Sequence, residues 1–352
     1  MSSAKSVMIG ELEFGGRAPM RVESMLKSRL ETLDICVDEL DMLKKAGCEL
    51  ARVAFPDESL SPNLRQLVEK SAVPLMADIH FNHKFALSAI DCGCGSIRIN
   101  PGNMSGRDGL MSVLSAAKAN GAVIRIGANG GSLSKRQIES HGGDRSRALV
   151  AAVEEQLIPL LDVGFEDIII SAKSSSVTET LRANFILSER YPFPLHIGIT
   201  EAGSGIDGAV KSASGLGVLI AQGIGDTMRV SLTGESVTEV EVAYSILRSM
   251  EVRQRGVNII SCPCCGRRRA DVGELVELVK SLLPHNMPDG LTIAVMGCEV
   301  NGPKEAAAAD IGIAGTQNGL VMFKKGKVAA FGDLASIKEK LTSEFTTFAG
   351  SS

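Results

Sequence analysis

The chain has 352 residues, 44% of them hydrophobic, which is enough to bury a large core and predicts two or three domains that fold without disulfide staples. Lys and Arg total 37 against 41 Asp and Glu, so the net charge of −4 gives no electrostatic ground for nucleic acid or an anionic membrane as partner, and the absence of Trp argues against base-stacking platforms. No charged-then-apolar leader and no apolar run of bilayer-crossing length occurs, so a cytoplasmic protein is expected, with its eight cysteines as thiols or metal ligands.

In chain order, β-branched runs occur at 20–24 (MRVES), 49–54 (ELARVA), 74–78 (PLMAD), 96–100 (SIRIN), 122–127 (AVIRIG), 167–172 (DIIISA), 194–199 (PLHIGI) and 227–232 (TMRVSL). Amphipathic stretches such as CVDELDMLKKAGCE and LRQLVEKSA lie between them, with Gly placed where a left-handed helix cap would sit. Strand and helix alternate about every 30 residues, the sequence form of a parallel sheet built from right-handed crossovers. Eight such units predict a TIM (β/α)8 barrel. An open doubly wound sheet is the alternative, but no Gly-x-Gly-x-x-Gly follows the first strand to favour it. After residue 252 the runs VNIIS, LTIAVMG, IGIAG, GLVMF and KVAAFG predict a smaller α/β domain. The chain therefore divides into 1–252, a substrate-binding barrel, and 253–352, a second domain.

Charge on the predicted barrel strands is the first functional signal. Arg52, Asp78, Arg98, Arg125, Lys173 and Arg229 fall within or just past the runs, where a buried charge is costly unless paired or ligand-bound. Strand C-terminal ends form the mouth of a barrel, so five cations from different strands would converge there on a polyanion such as a diphosphate, with Arg supplying planar forks to its oxygens. Pairing of each cation with a neighbouring carboxylate is the structural alternative. At the same level stand His80, His196 and Glu201, the last in a Gly-rich loop where partial desolvation would suit a proton donor. Asn100, Asn129 and Ser231 add neutral hydrogen-bonding groups.

In the second domain, SCPCCGRRR carries Cys262 and Cys265 as C-x-x-C after one strand, and Cys298 follows another in AVMGC. Glu305, seven residues beyond Cys298, is a candidate fourth contact. Zinc is the rival occupant, but the domain's only His, His285, belongs to neither segment. Three thiolates and a carboxylate suit a cubane iron–sulfur cluster with one exchangeable iron. Cys264 faces an awkward direction for ligation beside Cys265.

The motifs AGCELARVAFPD, PLMADIHFN, SIRINPGN, IRIGANGGSL, HIGITEAG, GIGDTMRVSLT, SCPCCGR and VMGCEVNGP followed, after one residue, by EA, in this order, identify a family. The chain resembles the bacterial 4-hydroxy-3-methylbut-2-enyl diphosphate synthases of isoprenoid biosynthesis over nearly its whole length. The resemblance implies a TIM barrel followed by a ferredoxin- or sulfite-reductase-like [4Fe-4S] domain, and a homodimer. It also implies reductive ring opening and dehydration of a cyclic diphosphate, with flavodoxin or ferredoxin as electron donor. Position by position, it implies Cys262, Cys265, Cys298 and Glu305 as cluster ligands and Glu201 as proton donor. Arg52, Arg98, Arg125, Asn129, Lys173 and Ser231 would form the diphosphate pocket, joined by Asp78, His80, Asn100 and Arg229 on strand position. Two departures from the family pattern stand out. Residues 24–32 read SMLKSRLET, an apolar and basic loop in place of a small polar one, and Lys304 precedes Glu305. An iron–sulfur paralogue that binds an anion for sensing or electron transfer is therefore the second reading.

Overall fold

The computed structural model describes residues 3–79, 82–284, 286–299 and 306–350. Two compact units divide it, Met1–Arg253 and Gln254–Ser352.

The first unit opens with a hairpin, β1 (Ser6–Ile9) and β2 (Leu12–Gly15), which the sequence runs did not predict. Then β3 (Arg21–Met25), α1 (Leu33–Ala46), β4 (Leu50–Ala54), α2 (Ser61–Lys70), β5 (Leu75–Asp78), α3 (His83–Asp91) and β6 (Ser96–Arg98) follow. Next come α4 (Gly106–Asn120), β7 (Val123–Asn129), α5 (Lys135–Glu139), α6 (Arg145–Leu161), β8 (Ile168–Lys173) and α7 (Val177–Arg190). The unit ends with β9 (His196–Ile197), α8 (Gly205–Ala221), β10 (Thr227–Met228) and α9 (Ser236–Ser249). The parallel sheet runs β8-β7-β6-β5-β4-β3-β10-β9, and a bridge from Ile170 to Leu195 joins its ends into the predicted barrel. Strands β9 and β10 are shorter than their apolar runs because the chain leaves the ladder after two residues, freeing residues 198–201 and 229–232 for the mouth. Helices end where predicted: Gly47 takes φ 104°, and its amide donates to the carbonyls of Leu43 and Lys44.

The hairpin closes the N-terminal end of the barrel. Val7, Ile9 and Phe14 pack against Leu50, Met76, Val123 and Ile169, one apolar residue from each of four strands. A larger core lies between the barrel and its helices.

In the second unit, β11 (Asn258–Ser261), α10 (Val272–Leu282), β12 (Thr292–Met296), β13 (Ile311–Thr316), β14 (Gly319–Lys324), β15 (Lys327–Gly332) and α11 (Leu334–Gly350) form a five-stranded sheet with helices. Its order is β11-β12-β13-β14-β15, parallel over the first three strands and antiparallel thereafter. Strand alternation sends Ile293 and Val295 to the face covered by Leu275, Leu341 and Phe345, and Ala294 and Met296 to the other. Among the described residues no helix is long and apolar enough to cross a membrane.

Glu49, just ahead of β4, ties the lower end of the barrel together. It accepts from Arg253 Nη1 at 2.6 Å, Arg21 Nη1 at 2.7 Å and the Val22 amide at 3.0 Å. Burial alone would raise its pKa, but the hydrogen bonds from Arg253 and Arg21 outweigh it and hold the carboxylate below its ordinary range. Glu49→Ala is expected to cost the barrel roughly 3–5 kcal/mol in urea unfolding near neutral pH, since it removes the carboxylate that the partly buried Arg21 and Arg253 share. The folded pKa is the lower one, so this contribution is whole above the unfolded value of about 4.3 and is lost as pH falls through the folded value. Unfolding curves of the parent and Glu49→Ala should therefore converge as the pH is lowered below 4.

Candidate active site

Above the apolar floor the barrel interior becomes charged. Register sets Asp78, Arg98 and Arg125 side by side on β5, β6 and β7, and Asn129 beside Lys173 at the ends of β7 and β8. Arg52 on β4 and Arg229 just past β10 complete the ring. These five cations, with Asn129, His196, Thr200 and Ser231, line a cavity of about 80 Å³.

Three carboxylates answer five cations. Asp78 Oδ1 lies 3.6 Å from Arg98, and its Oδ2 lies 3.9 Å from Arg52. Glu23 pairs with Arg125, both almost wholly buried. Glu239 stands 3.3 Å from Arg229 and accepts the Leu232 amide at 3.1 Å. The alternative of structural pairing is thus right for part of the ring, and Asp78 serves the arginines from within it. Glu23 and Glu239 were missed, although Glu23 sits inside the run MRVES, where the argument applied to the cations would have found it. Positive charge still exceeds negative, and Arg125 Nη2, Glu23 Oε1 and His196 Nδ1 are buried without a hydrogen-bond partner. Unanswered buried groups of this kind mark a place where a ligand or ordered water belongs.

The electrostatics follow from enclosure. Burial, then the neighbouring guanidinium of Arg125, pushes Lys173 well below the ordinary lysine range. Burial, then Lys173 and Arg125, pushes His196 down and keeps it neutral. Their Nζ and Nε2 atoms lie 2.6 Å apart.

Other predicted residues do not reach this cavity. Asn100 caps the turn Pro101–Asn103 by accepting the Gly102 amide, and it lines a neighbouring cavity of about 400 Å³ that shares Arg98 and Asn129. Glu201 is exposed, with φ 51°, in the loop between β9 and α8, so the desolvation expected for it is not found there. His80 lies outside the described residues. In the loop 24–32, Leu26 and Leu30 are buried in the barrel–helix core. Lys27 donates to the carbonyls of Leu232, at 3.1 Å, and Gly234, and stands 3.3 Å from Glu239. The apolar and basic residues of this loop therefore serve packing and loop-to-loop ties.

In the second unit, Cys262, Cys264, Cys265 and Cys298 line one pocket of about 140 Å³ beyond the ends of β11 and β12. The Gly297 amide donates to Cys262 Sγ at 3.1 Å, and the Arg269 amide to the Gly297 carbonyl at 2.7 Å, fastening the two thiol segments together. A hydrogen bond from the Arg267 amide lowers the exposed Cys265 thiol below its ordinary range. Cys264 adopts φ 64° and lines the same pocket, contrary to the expectation that it points aside. Among the described residues no three His, Cys, Asp or Glu side chains group around a single ion; Glu305 and Lys304 lie outside those residues.

A family model described as the GcpE TIM-barrel domain matches residues 4–244, and one described as the GcpE protein C-terminal domain matches 258–347. A Maridesulfovibrio salexigens protein named 4-hydroxy-3-methylbut-2-en-1-yl diphosphate synthase (flavodoxin) is 47% identical over 324 residues, covering 92% of this chain and 90% of its own. Proteins of the same name are similar in Lawsonia intracellularis, at 45% identity with 92% and 90% covered, and in Thermodesulfovibrio yellowstonii, at 43% with 95% and 94% covered.

The Glu23–Arg125 pair makes a stability prediction. Arg125→Leu takes the guanidinium from a buried carboxylate and is expected to cost about 3–5 kcal/mol, and adding Glu23→Gln should restore more than half of it. Urea unfolding of the single and double variants measures both.

Proposed function

The chain belongs to the GcpE family, and from that membership we propose that it is a 4-hydroxy-3-methylbut-2-en-1-yl diphosphate synthase. It is an oxidoreductase of isoprenoid biosynthesis that reductively opens the ring of 2-C-methyl-D-erythritol 2,4-cyclodiphosphate and dehydrates it to 4-hydroxy-3-methylbut-2-enyl diphosphate. The observation that carries this reading is the cation excess in the barrel interior, where a diphosphate supplies the missing negative charge. The relatives' names favour the synthase over the anion-binding paralogue, and the loop that raised that alternative is accounted for by packing.

Arg52, Arg98, Arg125 and Arg229 give the diphosphate oxygens planar forks, Lys173 adds an ammonium, and Asn129 and Ser231 orient the rest by neutral hydrogen bonds. Asp78 holds two of the guanidinium groups in place. Glu201, exposed at the mouth, supplies a proton to the departing hydroxyl, which leaves as water.

Cys262, Cys265 and Cys298, with Glu305, would hold a [4Fe-4S] cluster. The fit rests on thiols gathered round one pocket and on the Gly297 amide donated to Cys262 Sγ, a donor set that suits a polynuclear centre with thiolates at several corners. When bound, the cluster supplies the electrons for the reduction. The relatives' names support flavodoxin as the donor, and a homodimer is part of the same reading.

Anaerobically reconstituted protein should convert the cyclic diphosphate in the presence of reduced flavodoxin, with iron and sulfide bound per chain. Cys262→Ser, Cys265→Ser or Cys298→Ser should abolish iron binding. Glu201→Gln should keep its iron and lose on the order of 10²-fold in single-turnover rate. Protein carrying stoichiometric zinc without sulfide, or Glu201→Gln at the parental rate, would remove these assignments.

A further inference from the structure

Lys173 reaches into the barrel interior across β9 and its exit, and the sequence clears its path. At Gly198 a methyl group would come within 2.7 Å of the Arg229 carbonyl oxygen and 3.1 Å of Lys173 Nζ, so the absent side chain is what admits the lysine. Its Nζ ends 2.6 Å from His196 Nε2, and both side chains are nearly or wholly buried. Two nitrogens at that separation have room for a single hydrogen between them, so the facing atoms cannot both be donors. On the far side of the ring, Nδ1 lies 3.5 Å from Glu23 Oε2, which favours the proton on Nδ1 and leaves Nε2 as the acceptor. Any positive charge on the pair then resides on Lys173.

We propose that Lys173 and His196 form one proton-sharing unit, in which His196 positions the amine and the entry of a polyanion draws a proton from solvent onto it. The groups facing the amine are Arg125 from β7, Arg52 from β4 and Arg229 past β10, against Glu23 from β3. Without a ligand, burial and these guanidinium groups disfavour the ammonium, as the lowered Lys173 pKa reflects. An anion among them reverses the sign of the field, and the amine with one proton becomes the ammonium that the anion needs. Charge is thus installed when it is useful, while the empty barrel is spared one buried cation. His196 is a positioning residue that acts on the ligand through Lys173.

This rests on the anion-binding reading of the barrel, and sulfate separates the two because it remains a dianion with no proton to exchange near neutral pH. Sulfate binding to the anaerobic holoprotein is measured calorimetrically at pH 8 in buffers of different ionisation enthalpy. Uptake of about half to one proton per sulfate is expected, with affinity falling by up to about tenfold per pH unit between the free and bound pKa values of the pair. Lys173→Arg, permanently charged, should bind sulfate without uptake. His196→Gln, whose amide oxygen still accepts, should stay within about threefold of the parental affinity, while His196→Leu should lose about tenfold or more. A merely structural histidine would lower the unfolding temperature of both variants without separating their affinities. Sulfate bound with buffer-independent heats, or uptake persisting in Lys173→Arg, overturns the unit and leaves the anion site standing. No sulfate binding in either protein overturns the anion site, and the unit with it.

Discussion

Burying more positive than negative charge inside a closed barrel is the constraint on which the rest of the first unit depends. Each guanidinium taken from water costs free energy that packing cannot return. Asp78, Glu23 and Glu239 offset part of that cost, each reaching the ring from a different element. They stop short of neutrality, and buried polar atoms remain without partners beside them. The barrel is therefore held short of its own electrostatic optimum, and a bound anion completes it. Stability withheld at a functional site in this way is a common trade in enzymes. The apolar layer beneath it, from Leu50 to Ile169, supplies the rigid base that makes the shortfall tolerable.

The second unit solves a different problem with backbone rather than charge. Parallel strands β11 and β12 end side by side, so the segments that leave them start as neighbours. The Cys262 amide bonds the Val295 carbonyl, and the Gly297 amide turns to the Cys262 sulfur. Thiols from sequence positions far apart thus acquire a common pocket before anything binds them. The left-handed backbone at Cys264 lets the short C-x-x-C segment turn within that space.

Most of this architecture was readable because its signals are local. The barrel runs, the five later strands and the charged strand positions each announce themselves within a few residues, by β-branching or by a cation where none should be cheap. The hairpin at Ser6–Gly15 escaped because its role comes from contacts with Leu50, Met76 and Val123, which its own alternation does not reveal. Glu23 stands inside the run MRVES at a buried strand position, where a carboxylate is as costly as the cations, so the same local signal marks it. The loop 24–32 misled for the opposite reason: Leu26 and Leu30 look like exposed oddities in one dimension and become core once α1 folds over them. Glu201 keeps its place after β9 but not the expected enclosure, since a residue's neighbours across a barrel mouth are set by other loops.

The hairpin that closes the barrel's lower end has a consequence for traffic. With Val7, Ile9 and Phe14 wedged into that end, the ring of cations sits at the bottom of a blind well rather than along a tunnel. Molecules cannot stream through it; whatever goes in must back out by the doorway it used. A spent diphosphate and its successor can only take turns, and the water set free by dehydration joins the same queue. Exchange at the mouth is a step that every cycle has to pass.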